Sequence, residues 1–234
     1  NVMGTANILE ITRHAKTIKA VINVTSDKCY ENEELSYSFK ETDPMGGSDP
    51  YSASKACAEL VTTAFKRSYL EEPNIGVATV RAGNVIGGGD WASDRIVVDC
   101  MKAWNKRKSV EIRSPDATRP WQHVLEPLSG YLILGANLER SNDLNGEAFN
   151  FGPNAEQNRT VKELIKDLSK FWDFDSLDDA FTVTGNIPFH EAGLLKLNCD
   201  KALAYLHWQA NLDYKETIKY TSEWYYNFYK KNQD

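Results

Sequence analysis

The 234-residue chain has only four cysteines, at 29, 57, 100 and 199. No two have the spacing of metal ligands, and nothing in their placement suggests a disulfide framework. The four histidines, at 14, 123, 190 and 207, complete no zinc constellation. No apolar run is long enough to cross a bilayer, and no secretory leader pattern is present. Positive charge is not in excess: 27 Lys and Arg stand against 33 Asp and Glu, a net charge of −6. That balance gives no sign of a nucleic-acid or membrane surface, and Lys106-Arg107-Lys108 reads as a solvated helix end. Repeats and low-complexity segments are missing. So is a Gly-x-Gly-x-x-Gly dinucleotide fingerprint: Gly87-Gly88-Gly89 follows a strand pattern, but its order is wrong and no good helix opens on it. The chain also lacks an initiator Met. It opens on Asn1-Val2-Met3-Gly4 directly into an amphipathic pattern, with Ile8, Leu9, Ile11 and Thr12 at helical spacing, and reads as entered partway through a fold.

What is present is a core and a grammar. Hydrophobic residues make up 41% of the chain, enough to bury a proper interior. After a helix over 2–15, the short apolar run Ala20-Val21-Ile22-Asn23-Val24 has the signature of a buried parallel strand. An irregular polar connection over 29–50 leads to a helix over 51–69, which Asp49 or Ser48 can cap and Pro50 can open. A turn over 71–74 precedes a strand over 76–81. Strand, helix, strand predicts a parallel sheet. A glycine-rich loop over 82–91 follows, then a helix over 94–106, a strand at 110–112, a polar loop over 113–122 and a helix over 124–139. The rest reads as a strand at 148–151, a helix over 160–171 capped by Thr160, a strand at 181–183 and helices over 200–206 and 214–230. The fold class is α/β: a Rossmann-like doubly wound parallel sheet, its amino-terminal part missing, with a smaller mixed α/β substrate domain. The expected divide gives 1–85 to the sheet domain with the catalytic residues and 86–234 mainly to the substrate domain. Whether strands near 110–151 return to the sheet is left open.

Two stretches could carry chemistry. Tyr51 and Lys55, four apart on a helix, share one face. An ammonium beside a phenol favours the phenolate, which makes Tyr51 a candidate base. In open α/β sheets ligands bind at the carboxyl ends of the strands, and Ser26, Asp27 and Lys28 sit at such an end. Each has a plainer reading alone: a surface pair for Tyr51 and Lys55, a turn for Ser26-Asp27, and a solvated amine for Lys28.

Taken together, Ser26-Asp27-Lys28 and Tyr51-Ser52-Ala53-Ser54-Lys55 resemble the extended short-chain dehydrogenase/reductase family. Within it they resemble the nucleotide-sugar 4,6-dehydratases. Asn1-Val2-Met3-Gly4-Thr5, Arg81-Ala82-Gly83-Asn84-Val85-Ile86-Gly87 and Arg119-Pro120-Trp121-Gln122-His123-Val124 match further segments of that family. Where its dTDP-glucose branch carries Asp-Glu, this chain has Asp27-Lys28 followed by Cys29-Tyr30, which looks like the branch acting on CDP-glucose. The Gly-Gly-Gly-Asp-Trp loop and Pro188-Phe189-His190-Glu191-Ala192 point the same way.

The resemblance implies a cytoplasmic lyase with tightly bound NAD. It would oxidise CDP-glucose at C4, eliminate water across C5 and C6 and return hydride to C6, a step toward dideoxysugars of lipopolysaccharide O-antigen. Ser26, Asp27, Lys28, Tyr51 and Lys55 would be catalytic. Tyr51 would take the C4 hydroxyl proton and Ser26 would bond the same oxygen. Asp27 would protonate the departing C6 oxygen, and Lys28, as a neutral amine, would take the C5 proton. Tyr51, Lys55, Val24, Arg81 and Asn84 would hold the cofactor. Asn84, Gly89, Arg95, Arg113, Arg119 and His190 would hold the nucleotide sugar, Arg119 because a guanidinium pairs bidentately with phosphate oxygens. No metal, nucleic acid or membrane is implied. A homodimer is, through a four-helix arrangement of 2–15 and 51–69. A nucleotide-sugar 4-epimerase of the same fold and a non-catalytic NAD-binding scaffold are the alternatives. The first has no need of Asp27 and Lys28, and the second needs none of the five catalytic residues.

Overall fold

The apolar run at 20–24 is a strand because its neighbour is. In the computed structural model, which describes residues 1–31, 37–71, 75–154, 157–172, 174, 176, 179–184 and 195–231, helix α1 (Val2–His14) leads into strand β1 (Ala20–Val24). A single 3-10 turn, Asp27–Cys29, closes the end of β1. Helix α2 (Pro50–Tyr69) then crosses to strand β2 (Gly76–Ala82), which pairs with β1 in parallel, Ala20 opposite Gly76 and Val24 opposite Val80.

The chain next builds a second compact unit, with β3 (Val85–Ile86), α3 (Ile96–Asn105), β4 (Val110–Ile112), β5 (Thr118–Pro120) and β6 (Gln122–His123). Helix α4 (Leu125–Arg140) and strand β7 (Ala148–Phe151) belong to the first unit, and β7 adds to β2 in parallel, so that the sheet order is β1-β2-β7. β8 (Asn158–Thr160), α5 (Val161–Ser169) and β9 (Phe181–Val183) lie in the second unit, α6 (Asp200–Leu206) in the first, and α7 (Tyr214–Lys231) in the second. The first unit is therefore Asn1–Gly83, Glu126–Gly152 and Leu195–Ala210, and the second Asn84–Leu125, Pro153–Leu194 and Asn211–Asp234. The sequence reading set the divide at 85/86 and left room for strands near 110–151 to return to the sheet; β7 lies in the sheet, and the chain passes between the units several times.

In the first unit, helices cover both faces of the sheet. Side chains alternate across a strand, and β2 shows it. Val77 joins Leu9, Leu70 and Ile75 on the side of α1 and α2, while Ala78 and Val80 join Leu134, Leu138, Phe149, Leu206 and Trp208 on the side of α4 and α6. The second unit has its own core, in which Trp104, Met101 and Val97 of α3 meet Leu164, Ile165 and Leu168 of α5 and Ile218 and Tyr225 of α7. The Thr160 cap is realised as a reciprocal capping box with Glu163.

Two loops of the sequence reading hold strands instead. The 82–91 stretch contains β3 and the 113–122 stretch contains β5 and the start of β6, with β5 pairing antiparallel to β8 and β3 parallel to β6. β3, β5 and β6, two or three residues long, carry no readable alternation, and their partners stand tens of residues away.

Candidate active site

Every element of the candidate catalytic set lies in the first unit. Helix α2 begins where it does because Asp49 caps it. Asp49 Oδ1 accepts from the backbone N–H of Tyr51 at 2.9 Å and of Ser52 at 3.0 Å, and Oδ2 accepts the Ser52 hydroxyl at 2.5 Å. The Ser52 hydroxyl, followed by these backbone donors, holds the Asp49 carboxyl below its ordinary range. Pro50 occupies the first turn, where its missing N–H costs nothing. This start presents Tyr51 at the rim, 48% exposed.

Further along the same helical face, three side chains meet three consecutive residues, the last two of β1 and Thr25 just after it. Thr62 Oγ1 accepts from Asn23 Nδ2 at 2.8 Å, Lys55 Nζ donates to the Val24 carbonyl at 3.2 Å, and Glu59 accepts from the Thr25 hydroxyl. Burial pulls Lys55 below the usual lysine range, against the opposing influence of Cys29 and Glu59.

The strand end is organised by its own hydroxyl. Ser26 caps the 3-10 turn: its Oγ accepts from the Lys28 N–H at 3.2 Å and donates to Asp27 Oδ1 at 2.9 Å. Ser26 and Asp27 are buried, while Lys28 is exposed. Lys28 stands close enough to Asp49 to favour its carboxylate. A Cβ placed on Gly83, at the end of β2, would lie 1.9 Å from Asp27 Oδ2, so the carboxylate occupies the space that a side chain at 83 would need. An ammonium and a backbone carbonyl (Lys55 and Val24, the latter 50% exposed) thus stand at the end of one strand with a buried carboxylate and hydroxyl, and Tyr51 lies one turn before Lys55 on α2.

Arg81 is a correction. The sequence reading placed it at the cofactor. Its side chain is 1% exposed and is committed inside the unit. Nε and Nη2 donate to the two Glu59 oxygens at 2.9 and 3.0 Å, and Nη1 donates to the Tyr30 hydroxyl at 2.8 Å and the Glu41 carbonyl at 3.2 Å. Burial works against both charges, but the Glu59 carboxylate keeps Arg81 protonated, and the bonds from Arg81, Thr25 and Thr79 hold Glu59 below its ordinary range. Sequence reasoning missed Glu59, although it stands four residues beyond Lys55 and so continues the Tyr51–Lys55 face. It also missed Tyr131 of α4. Burial, and after it the charge of Asp27, pushes that phenol up to about 12.

The candidate substrate residues described by the structure lie in the second unit. Asn84 adopts a left-handed backbone (φ 50°), and its carbonyl accepts from the Gln122 N–H at 3.2 Å. Gly89 has φ 80°, a conformation that glycine tolerates best. The loop around it is fixed to α7: a Cβ on Gly88 would fall 2.1 Å from Trp224 Cγ, and the Tyr225 hydroxyl donates to the Asp90 carbonyl at 2.8 Å. Trp91 packs against Trp224, Tyr225, Phe228 and Tyr229. Arg95 and Arg113 are exposed. Arg119 is half-buried on β5, opposite Arg159, with Nη1 on the Thr118 carbonyl at 3.0 Å. His190 falls outside the described residues. His123, read as structural, is buried on β6 with its ring 6.0 Å from that of Tyr220. Among the described residues no group of His, Cys, Asp or Glu is placed to hold a metal ion, and no helix is long and apolar enough to cross a membrane.

The chain is similar to known proteins. A curated protein of Salmonella typhimurium, named CDP-glucose 4,6-dehydratase, is 44% identical over 230 residues, which cover 96% of this chain and 63% of that protein. A human dTDP-D-glucose 4,6-dehydratase is 26% identical over 227 residues, covering 96% of this chain and 61% of its own length. The chain thus spans under two thirds of the length of these relatives. Among solved structures, a dTDP-glucose 4,6-dehydratase of Bacillus anthracis in complex with NAD superposes with a TM-score of 0.80 at 20% identity, over 96% of this chain and 67% of that one. A UDP-glucuronic acid 4-epimerase of Bacillus cereus, in complex with UDP-glucuronic acid and NAD, superposes with a TM-score of 0.81 at 18% identity, over 97% and 67%. These structural likenesses establish the Rossmann-like fold. The sequence profile of one family, described as GDP-mannose 4,6 dehydratase, matches residues 1–221, and the chain belongs to that family.

Proposed function

We propose that this chain carries the catalytic residues of an NAD-dependent nucleotide-sugar 4,6-dehydratase, a hydro-lyase whose substrate is CDP-glucose. The observation that carries the reading is the strand end itself: Ser26 and Asp27 buried and bonded to each other, Lys28 exposed beside them, and α2 packed on the same turn. The choice of CDP-glucose draws on the Salmonella relative.

The donor set fits the cofactor. A half-exposed phenol and an ammonium one helical turn apart can hold the two hydroxyls of a ribose, and the Val24 carbonyl beside them can accept a further bond. Arg81 drops out of this set, since its donors are spent inside the unit. When bound, NAD supplies the acceptance of hydride from C4 and its return to C6.

The remaining steps belong to the chain. Tyr51 takes the C4 hydroxyl proton, with Lys55 on the same helical face and Ser26 bonding the same oxygen. The resulting ketone acidifies C5–H. Lys28 takes that proton, Asp27 gives one to the oxygen leaving C6, and Lys28 returns its proton to C5 as hydride reaches C6. In the second unit, Asn84, Gly89, Arg95, Arg113 and Arg119 are the proposed contacts to the nucleotide diphosphate and sugar, with His190 proposed from sequence alone. The homodimer rests on α1 and α2, which pack together and leave Met3, Ile8, Ile11 and Leu60 exposed on their surface. Placement in the cytoplasm and a role in making dideoxysugars of O-antigen follow from the same reading.

The test is an assay of the natural full-length protein with NAD against CDP-, dTDP-, UDP- and GDP-glucose, following the 4-keto-6-deoxy product. Turnover of CDP-glucose alone, or far better than of the others, is the expected result. A 4-epimer in place of the keto sugar makes the protein an epimerase, and no product from any donor removes the catalytic reading.

A further inference from the structure

Beneath the exposed rim of the site lies a buried ion pair that the proposed reaction does not use. Glu59 and Arg81 are 2% and 1% exposed at their side chains. Their contacts are not spread at random through the unit. Thr25, the residue just before the Ser26–Cys29 segment, gives its hydroxyl to Glu59, and Tyr30, the residue just after it, accepts from Arg81 at 2.8 Å. The pair therefore grips the turn that carries Ser26, Asp27 and Lys28 at both ends. Its other contacts anchor the grip. Thr79 of β2 donates to Glu59 at 2.6 Å, and the Tyr30 hydroxyl donates to Asn150 of β7 at 2.7 Å, so β2, β7 and the residue just after β1 are tied in. Glu59 also continues the helical face of Tyr51 and Lys55, and Asn23 and Val24 hold Thr62 and Lys55 on either side of it.

Stability does not account for this arrangement. A buried ion pair is often no better than apolar side chains of the same volume, because both ions lose their hydration. What such a pair can supply is a fixed geometry, since bidentate bonds to a guanidinium tolerate little displacement. We propose that Glu59 is a positioning residue: with Arg81 it locks the register of α2 against the end of β1 and so sets Tyr51 and Lys55 relative to Ser26, Asp27 and Lys28. The inference rests on the reading of those five residues as the catalytic set. Glu59 touches no reacting atom.

The test uses Glu59→Gln, Glu59→Asp and Thr79→Val in the natural full-length protein, each assayed well below its own melting temperature and checked for folding by circular dichroism. Glu59→Gln is expected to lower kcat by about a hundredfold, the scale of a displacement near one ångström, with KM for CDP-glucose nearly unchanged. Glu59→Asp, which keeps the charge, recovers part of the loss. An activity-independent reading accompanies it. Competitive acetylation of Lys55, quantified by mass spectrometry against the exposed Lys108 of the same molecule, should rise several-fold in Glu59→Gln as Lys55 leaves the Val24 carbonyl. A folded Glu59→Gln with wild-type kcat and wild-type Lys55 labelling overturns the proposal, because a merely stabilising residue would behave so. If Glu59→Gln does not fold, Thr79→Val removes one bond to the same carboxylate, and unchanged kcat and labelling there overturn it equally. If the wild type turns over no donor, the functional reading has failed, and the labelling alone still decides whether Glu59 sets the position of Lys55.

Discussion

Glu59 and Arg81 meet end to end inside the first unit, Oε1 on Nε at 2.9 Å and Oε2 on Nη2 at 3.0 Å. Because Arg81, Thr25 and Thr79 favour the carboxylate, the folded state holds Glu59 below its ordinary range. A depressed acid contributes stability that is present above its unfolded pKa of about 4.3 and is lost as pH falls through the folded value. Unfolding free energy from urea titrations should therefore decline as pH drops below about 4.3, and the decline should be shallower in Glu59→Gln. Asp49 and Glu163 are lowered too, so the difference between the two proteins isolates Glu59. Parallel pH profiles would show that the carboxylate is not held low.

Breaking the pair from the other side leaves Glu59 charged and buried without its cation. Arg81→Met should cost about 3–5 kcal/mol, the scale for an orphaned buried partner. The urea midpoint measures it. A loss under about 1 kcal/mol would place Arg81 among surface pairs, which its burial does not allow.

Gly83 tests the seat of Asp27. A methyl at 83 would arrive 1.9 Å from Asp27 Oδ2 and 2.6 Å from Cγ. Either the carboxylate turns away or the end of β2 shifts. We expect Gly83→Ala to destabilise by about 1–3 kcal/mol, as overpacking does. Its turnover should fall far more than that of an alanine substitution on an exposed face such as that of α1. Equal activities would mean that the orientation of Asp27 is immaterial.

Much of this was legible in the sequence, and the reasons differ by element. The long amphipathic α2 announces itself through its spacing, its Asp49-Pro50 start and its aromatic–lysine pair. β1 and β2 read as parallel strands because they are short, apolar and bounded by polar residues; the expected burial holds for β2, whereas β1 is half-buried and Val24 exposed. Arg81 misled, because a cation beside a suspected site reads as a ligand contact until its partner is known, and Glu59 lies 22 residues away in sequence. The short strands β3, β5, β6 and β8 were hidden because each is held by a distant partner rather than by its own pattern. The passage of the chain between the two units is likewise invisible in composition: β7 pairs with β2 through contacts that no local signal records.

Asp49 makes a separable local claim. Its side chain satisfies two of the first N–H groups of α2 and the Ser52 hydroxyl. Asp49→Ala should lose about 1 kcal/mol, and Asp49→Asn, which still accepts, should lose less. Thermal melts of the three proteins compare them directly. Identical midpoints would mean that the helix start is fixed by packing alone.

Lys28 separates dehydration from simple oxidation. Its side chain is exposed, so its removal should leave folding within about 0.5 kcal/mol of wild type. Tyr51 and Lys55 still serve the C4 step in Lys28→Ala, because they stand on α2 and Lys28 on the turn after β1. The variant is then expected to oxidise C4 but not to lose water, with reduced cofactor building up in the presence of CDP-glucose and little 4-keto-6-deoxy product. Absorbance of the reduced cofactor and chromatography of the sugar nucleotide follow the two halves independently. Equal loss of both halves would take the proton at C5 away from Lys28, and the buried Asp27 next to it would become the group to examine for that role.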